Sequence, residues 1–156
     1  MAAEIKEKFD TEGSFTITLA SQASSTSGAG RQSTIVDNTT TRYSKLLIFA
    51  KVRVGTGPTT NRTIRLFLIR DDNNGTNYRT DGAGASDAAL TIVNAQPLAV
   101  IYVDAATSDK DYYFDCVVEN PGPKFGIAVV HDTGVNLNST GGNHYVRYIG
   151  VNPEVQ

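Results

Sequence analysis

Between Tyr43 and Asp72 the chain carries two alternating apolar runs, YSKLLIFAKVRV and TIRLFLIRDD, separated by GTGPTTNR. Side chains alternate across a pleated strand, so Leu46, Ile48, Ala50, Val52 and Val54 share one face of the first run. Lys51 and Arg53 lie on the opposite face, together with Leu47 and Phe49. In the second run Ile64, Leu66 and Leu68 share one face, with Arg65, Phe67 and Ile69 opposite. This pattern predicts two long β-strands joined as a core hairpin, and with it a β-sandwich. The second face is only half polar. Leu47, Phe49, Phe67 and Ile69 are therefore expected either inside the sandwich or at a subunit interface.

The rest of the chain extends the same reading. Residues 1–13 are polar and are expected as a flexible N-terminal arm, followed by a single β-sandwich domain over 14–156. Phe15, Ile17 and Leu19 alternate with threonines and predict a half-buried strand over Ser14–Leu19. The segment from Ala20 to Arg42 is long, small and polar, with a short strand expected at Ser33–Val36. A return strand is expected over Thr76–Arg79, then a strand or helical turn over Ala89–Val93. Further strands are expected at Leu98–Val103, Tyr112–Glu119, Phe125–Val130 and His144–Val151, with the Pro-Gly-Pro at 121–123 as a break. No amphipathic helix and no fixed repeat is evident. The expected fold is all-β: a jelly-roll-like antiparallel β-sandwich of about eight strands, with an up-and-down barrel as the alternative.

Composition excludes several functions. A formal charge of −2 supplies no basic footprint for nucleic acid. No apolar run approaches the roughly 20 residues needed to span a bilayer, and the charged N-terminus lacks the apolar core of a signal peptide. The chain is thus expected to be made, and at first to stay soluble, in a cytoplasm. The single cysteine, Cys116, sits in a strand pattern and is expected to be a small buried apolar residue.

Motif chemistry is sparse. The Asp-Asp-Asn-Asn-Gly cluster at 71–75 fails as an EF-hand because Arg70 falls at the first ligand position; it reads as a turn. Asp-Gly-Ala-Gly-Ala-Ser-Asp at 81–87 has no Gly-Lys-Ser/Thr and is not a phosphate loop. The only histidines, His131 and His144, would need Asp132 and a serine to form a triad. His131 directly precedes Asp132, and adjacent strand residues point to opposite faces. No enzyme activity, cofactor or metal is expected. Asn-x-Ser/Thr sequons begin at Asn38, Asn61, Asn74 and Asn138 and are read as chance in a Thr/Asn-rich chain. Tyr78 and Tyr145 are the candidates for a recognition surface that stacks on sugars or fills interfaces, with ordinary sheet packing the alternative for the tyrosines.

Two stretches, TITLASQASSTSGAGRQSTIVDNTTTRY at 16–43 and GTNYRTDGAGASDAALT at 75–91, together with the closing HYVRYIGV, resemble small structural proteins of tailed bacteriophages. The resemblance is structural and carries over no active-site residue. It implies a virion protein, first a capsid decoration (cement) subunit that binds across major capsid proteins, with a homo-oligomer expected and a trimer first. The alternative it leaves open is a tail- or fibre-associated carbohydrate-binding module.

Overall fold

A computed structural model describes residues 4–71, 88–89 and 95–155. Its strands, in chain order, are β1 (Ile5–Ser14), β2 (Ala29–Gln32), β3 (Val36–Asp37), β4 (Lys45–Arg53), β5 (Thr63–Asp71), β6 (Ala88–Ala89), β7 (Gln96–Tyr102), β8 (Asp111–Glu119), β9 (Lys124–His131) and β10 (Tyr145–Val155). One sheet runs β1-β10-β4-β8. The other runs β6-β2-β9-β5-β7, with β3 also paired to β9. All the ladders are antiparallel.

Setting aside the two-residue strands β3 and β6, the principal strands pair first with last and then inward: β1 with β10, β2 with β9, β4 with β8, and β5 with β7. That nesting is what a single long antiparallel hairpin becomes when it rolls around a core. The fold is a jelly-roll β-sandwich.

The two runs that dominate the sequence do not form a hairpin with each other. β4 lies in the four-stranded sheet and β5 in the other, so the Val54–Arg62 connection crosses the sandwich. Alternation dictates one buried face per strand. It does not say whether two such faces lie side by side in one sheet or opposite each other in two. Here they are opposite. Leu46, Ile48, Ala50 and Val52 meet Ile64, Leu66 and Leu68 in one core, completed by Phe114, Val118, Phe125, Ile127, Val129 and Val146.

Three local expectations also change. Residues 5–13, within the expected arm 1–13, form with Ser14 the edge strand β1, because β10 is long enough to offer its backbone to them. Of the strand expected at Ser14–Leu19 only Ser14 lies in a ladder. The alternation is nevertheless correct, since Phe15 and Leu19 are buried. The segment leaves one sheet and reaches the other: the Phe15 N–H donates to Val146 O (2.9 Å), while Thr16 O accepts from Thr34 N–H (3.0 Å). The strand expected at Ser33–Val36 is split, with β2 before it and β3 at its end. Between them Ser33 keeps two bonds to β9, its N–H to Ile127 O (2.8 Å) and its Oγ accepting from Ile127 N–H (3.0 Å).

The expected return strand at 76–79, the turn at 72–75, the glycine-rich loop at 81–87 and Asn74 lie outside the described residues. So does Ala89–Val93 apart from Ala89, which ends β6.

Candidate functional site

The register of the four-stranded sheet defines its outer face row by row. Directly opposed residues of antiparallel strands point the same way. One row reads Phe9, Val151, Lys45, Glu119; the next Glu12, Ile149, Leu47, Val117; the next Ser14, Arg147, Phe49, Asp115. Tyr145, Lys51 and Tyr113 follow, then Arg53 and Asp111. An apolar stripe of Phe9, Ile149, Leu47, Val117 and Phe49 therefore crosses the sheet. Phe9, Val117 and Phe49 are exposed, while Leu47 and Ile149 are half-buried.

Most of the charges around the stripe are matched within the chain; Lys51 and Asp115, of opposite sign, stand outside these pairs. Lys45 reaches Glu7 and Glu119, Arg147 meets Glu12 (3.2 Å), and Arg53 holds Asp111 in a two-pronged contact at 2.6 and 2.8 Å. The Arg53 guanidinium lowers the Asp111 pKa below the ordinary carboxylate value, and the Glu7 hydrogen bond raises the ammonium pKa of Lys45. These pairs sit at or near the surface, where solvent screens them, so their role is to neutralise charge more than to stabilise the fold.

The outer face of the second sheet is different. Phe67 and Ile69 are buried there against Ala128 and Val130, with Ile35 and Ala95 packed over them. The four residues expected at one interface thus divide between opposite faces of the sandwich. Leu47 and Phe49 lie on the open face, whereas Phe67 and Ile69 are buried within the chain in a second, smaller core. The physical reason is again the crossing of β4 and β5 into different sheets.

Of the expected recognition tyrosines, Tyr78 lies outside the described residues. Tyr145 is on the open face but half-buried, with the Arg147 guanidinium 4.5 Å and the Lys51 ammonium 5.8 Å from its ring centroid. Its π-face already holds cations. Tyr113, in the same row, is the more exposed ring.

The histidines are not arranged for catalysis with Asp132. His131 is fully buried, with Nδ1 at 3.0 Å from Thr133 Oγ1 and Nε2 at 3.1 Å from Gln22 O. His144 accepts the Arg53 backbone N–H at Nδ1 (3.3 Å) and donates from Nε2 to Asn138 O (2.8 Å), which sets its neutral tautomer. Burial lowers its pKa. Asp132 accepts the backbone N–H and hydroxyl of Thr63. Cys116 is half-buried against the core, and burial raises its thiol pKa. Among the described residues no group of three or more His, Cys, Asp or Glu side chains is placed to hold a metal ion, and no helix is long and apolar enough to cross a membrane.

Val117 was accessible from the sequence, since Tyr113, Asp115 and Val117 alternate with the buried residues of β8. Phe9 was not, because its placement depends on pairing with a strand at the far end of the chain. No family model matches this chain, and no curated protein matches it.

Proposed function

We propose that this protein is a non-enzymatic structural subunit that works by protein–protein docking, in the setting the phage resemblance implies: a capsid decoration protein of a virion. The observation that supports the reading is the asymmetry of the sandwich. One outer face is covered by the chain's own residues around Phe67 and Ile69 and exposes apolar side chains only along its β7 edge, at Val100 and Tyr102, while the other displays an apolar stripe across all four strands among charges of both signs. A surface of that kind suits burial against another protein more than contact with water or with a charged polymer. A decoration subunit would act by adding buried area across joints between shell proteins, which resists expansion of the packed particle.

The test is cryo-electron microscopy of virions from the phage that encodes the chain, with and without its gene. Ordered density for the jelly roll on the shell is expected, lost when the gene is deleted. Density confined to the tail, or no density on the particle, would overturn the reading.

A further inference from the structure

The open face does not stop at the end of the sandwich. β4 begins at Lys45, opposite Val151, but β10 runs on to Val155 with β1 as its only neighbour among the described strands. Ile5 faces Val155, Lys6 faces Glu154, Glu7 faces Pro153 and Lys8 faces Asn152. At about 3.3 Å per residue these pairs carry a two-stranded ribbon roughly 13 Å past the last pair of β4.

The ribbon has two unlike sides. Ile5, Val155, Pro153 and Phe9 share the side that continues the stripe, and Lys6, Lys8, Asn152 and Glu154 share the reverse. The reach of Lys45 to Glu7 on the first side, and of Lys8 to Glu154 on the second (3.0 Å), agrees with that division. Ile5 is 70% exposed, Val155 68% and Phe9 58%. Isolated two-stranded ribbons are marginal in water, and this one adds a side that is apolar apart from Glu7 to that weakness.

Resting on the reading of the open face as a protein–protein surface, we propose that the ribbon and the stripe together form a self-association surface whose occupant is the same surface of a second copy of this chain; shell contacts of a decoration role then fall on the remaining surface of the pair. Two observations select that occupant. The first is charge. On this face Lys45, Arg53 and Arg147 each have a carboxylate of their own chain, and the other two charges, Lys51 and Asp115, are opposite in sign. The complementary partner is therefore an apolar strip flanked by balanced charges, which is a description of the surface itself. The second is area. At about 4.8 Å spacing and about 3.3 Å per residue, four strands along the stretch of β10 paired with β4 and two along the ribbon give a footprint of roughly 600 Å². That is comparable to the roughly 800 Å² per partner of a standard stable interface. A face that meets its own copy closes on a two-fold axis, which makes a dimer rather than a trimer.

Sedimentation velocity of the full chain from low to high micromolar concentration tests this. The expected species has twice the 16.7 kDa of one chain. The double variants Ile5→Asp/Phe9→Asp and Phe49→Asp/Val117→Asp should each weaken association at least about tenfold, a loss of about 1.4 kcal/mol. Val100→Asp, at an exposed position of the other sheet, should leave it unchanged. Hydroxyl-radical footprinting of the unaltered protein provides a readout independent of any variant's folding: oxidation of Phe9 and Phe49 should fall as the protein is concentrated, while that of Tyr102 stays constant. A monomer throughout, a trimer, variants that still dimerise, or unchanged footprints would overturn the inference. A monomer that still decorates shells would overturn it while leaving the docking role intact; a monomer found on no particle would overturn both.

Discussion

Gly150 offers the sharpest test of how this sandwich is packed. It sits in β10 opposite Leu46, and the Tyr43 ring lies against its Cα. A Cβ added there would stand 2.2 Å from Tyr43 Cδ1 and Cε1 and 2.5 Å from Cγ. Ordinary carbon contacts begin near about 3.5 Å, so in Gly150→Ala the ring must retreat by roughly 1 Å. Retreat loosens the edge contact of Tyr43 with Tyr148, whose ring centroids are 6.3 Å apart. It also strains the bond from the Tyr43 hydroxyl to Asp10 (2.7 Å). Burial, aided by that Asp10 bond, pushes the Tyr43 phenol up to about 12, so it stays a proton donor at any ordinary assay pH. Overpacking of this kind costs about 1–3 kcal/mol and a lost aromatic pair about 0.5–1.5. The Asp10 bond is solvent-exposed and adds little. The total is about 2–4 kcal/mol, or roughly 4–16 °C in Tm for a chain of this length. Thermal and urea unfolding followed by circular dichroism will measure it. Tyr43→Ala removes the obstruction, so in the Tyr43→Ala background Gly150→Ala should be nearly free. The resulting coupling energy should be at least about 1 kcal/mol. A Gly150→Ala protein melting within 2 °C (about 0.5–1 kcal/mol) of the parent, or additive costs, would refute the packing argument.

Other outcomes follow from the same structure. Ile69→Ala, emptying part of the second core, should lower stability by about 2–5 kcal/mol, whereas Phe49→Ala on the open face should stay within about 0.5 kcal/mol; equal urea midpoints for the two would contradict the division of faces. His144 is held neutral by burial, so its folded pKa lies below that of the unfolded chain, about 6.5. The unfolded state then binds the extra proton, and the stabilisation present above that pH is lost as pH falls through and below it. Plots of unfolding free energy against pH should decline on the acid side of about 6.5, and His144→Gln should flatten the decline; an unchanged slope would remove His144 as its source.

Much of the core was legible because its cause is local. Each inward residue of β4, β5, β8 and β9 stands two positions from the next, and that spacing alone puts them on one side of a strand. Even where no ladder forms, as at Phe15 and Leu19, alternation identified the buried residues. The candidate site was legible only in part. Leu47 and Phe49 were correctly marked as apolar residues on an outward face, but the same pattern marked Phe67 and Ile69, which are covered. Strand alternation reports which side of a strand is apolar and carries no information on what lies above that side. Phe9 and Ile5 were hidden for a different reason. Their flanking residues are charged, and only pairing with a strand more than a hundred residues away gives them a face.

The sequence by itself determined that this chain builds strands with one strongly apolar face each, and therefore a β-sandwich or barrel. Period-two alternation buries those side chains either between two packed sheets or inside one closed sheet. Only the tertiary structure decided which strands are neighbours: that β4 and β5 face each other across the core, that β1 zips to β10, and that Phe67 and Ile69 are covered while Leu47 and Phe49 lie on an open face. Backbone hydrogen bonds are alike for every strand pair, so partner choice is set by long-range packing of the whole chain.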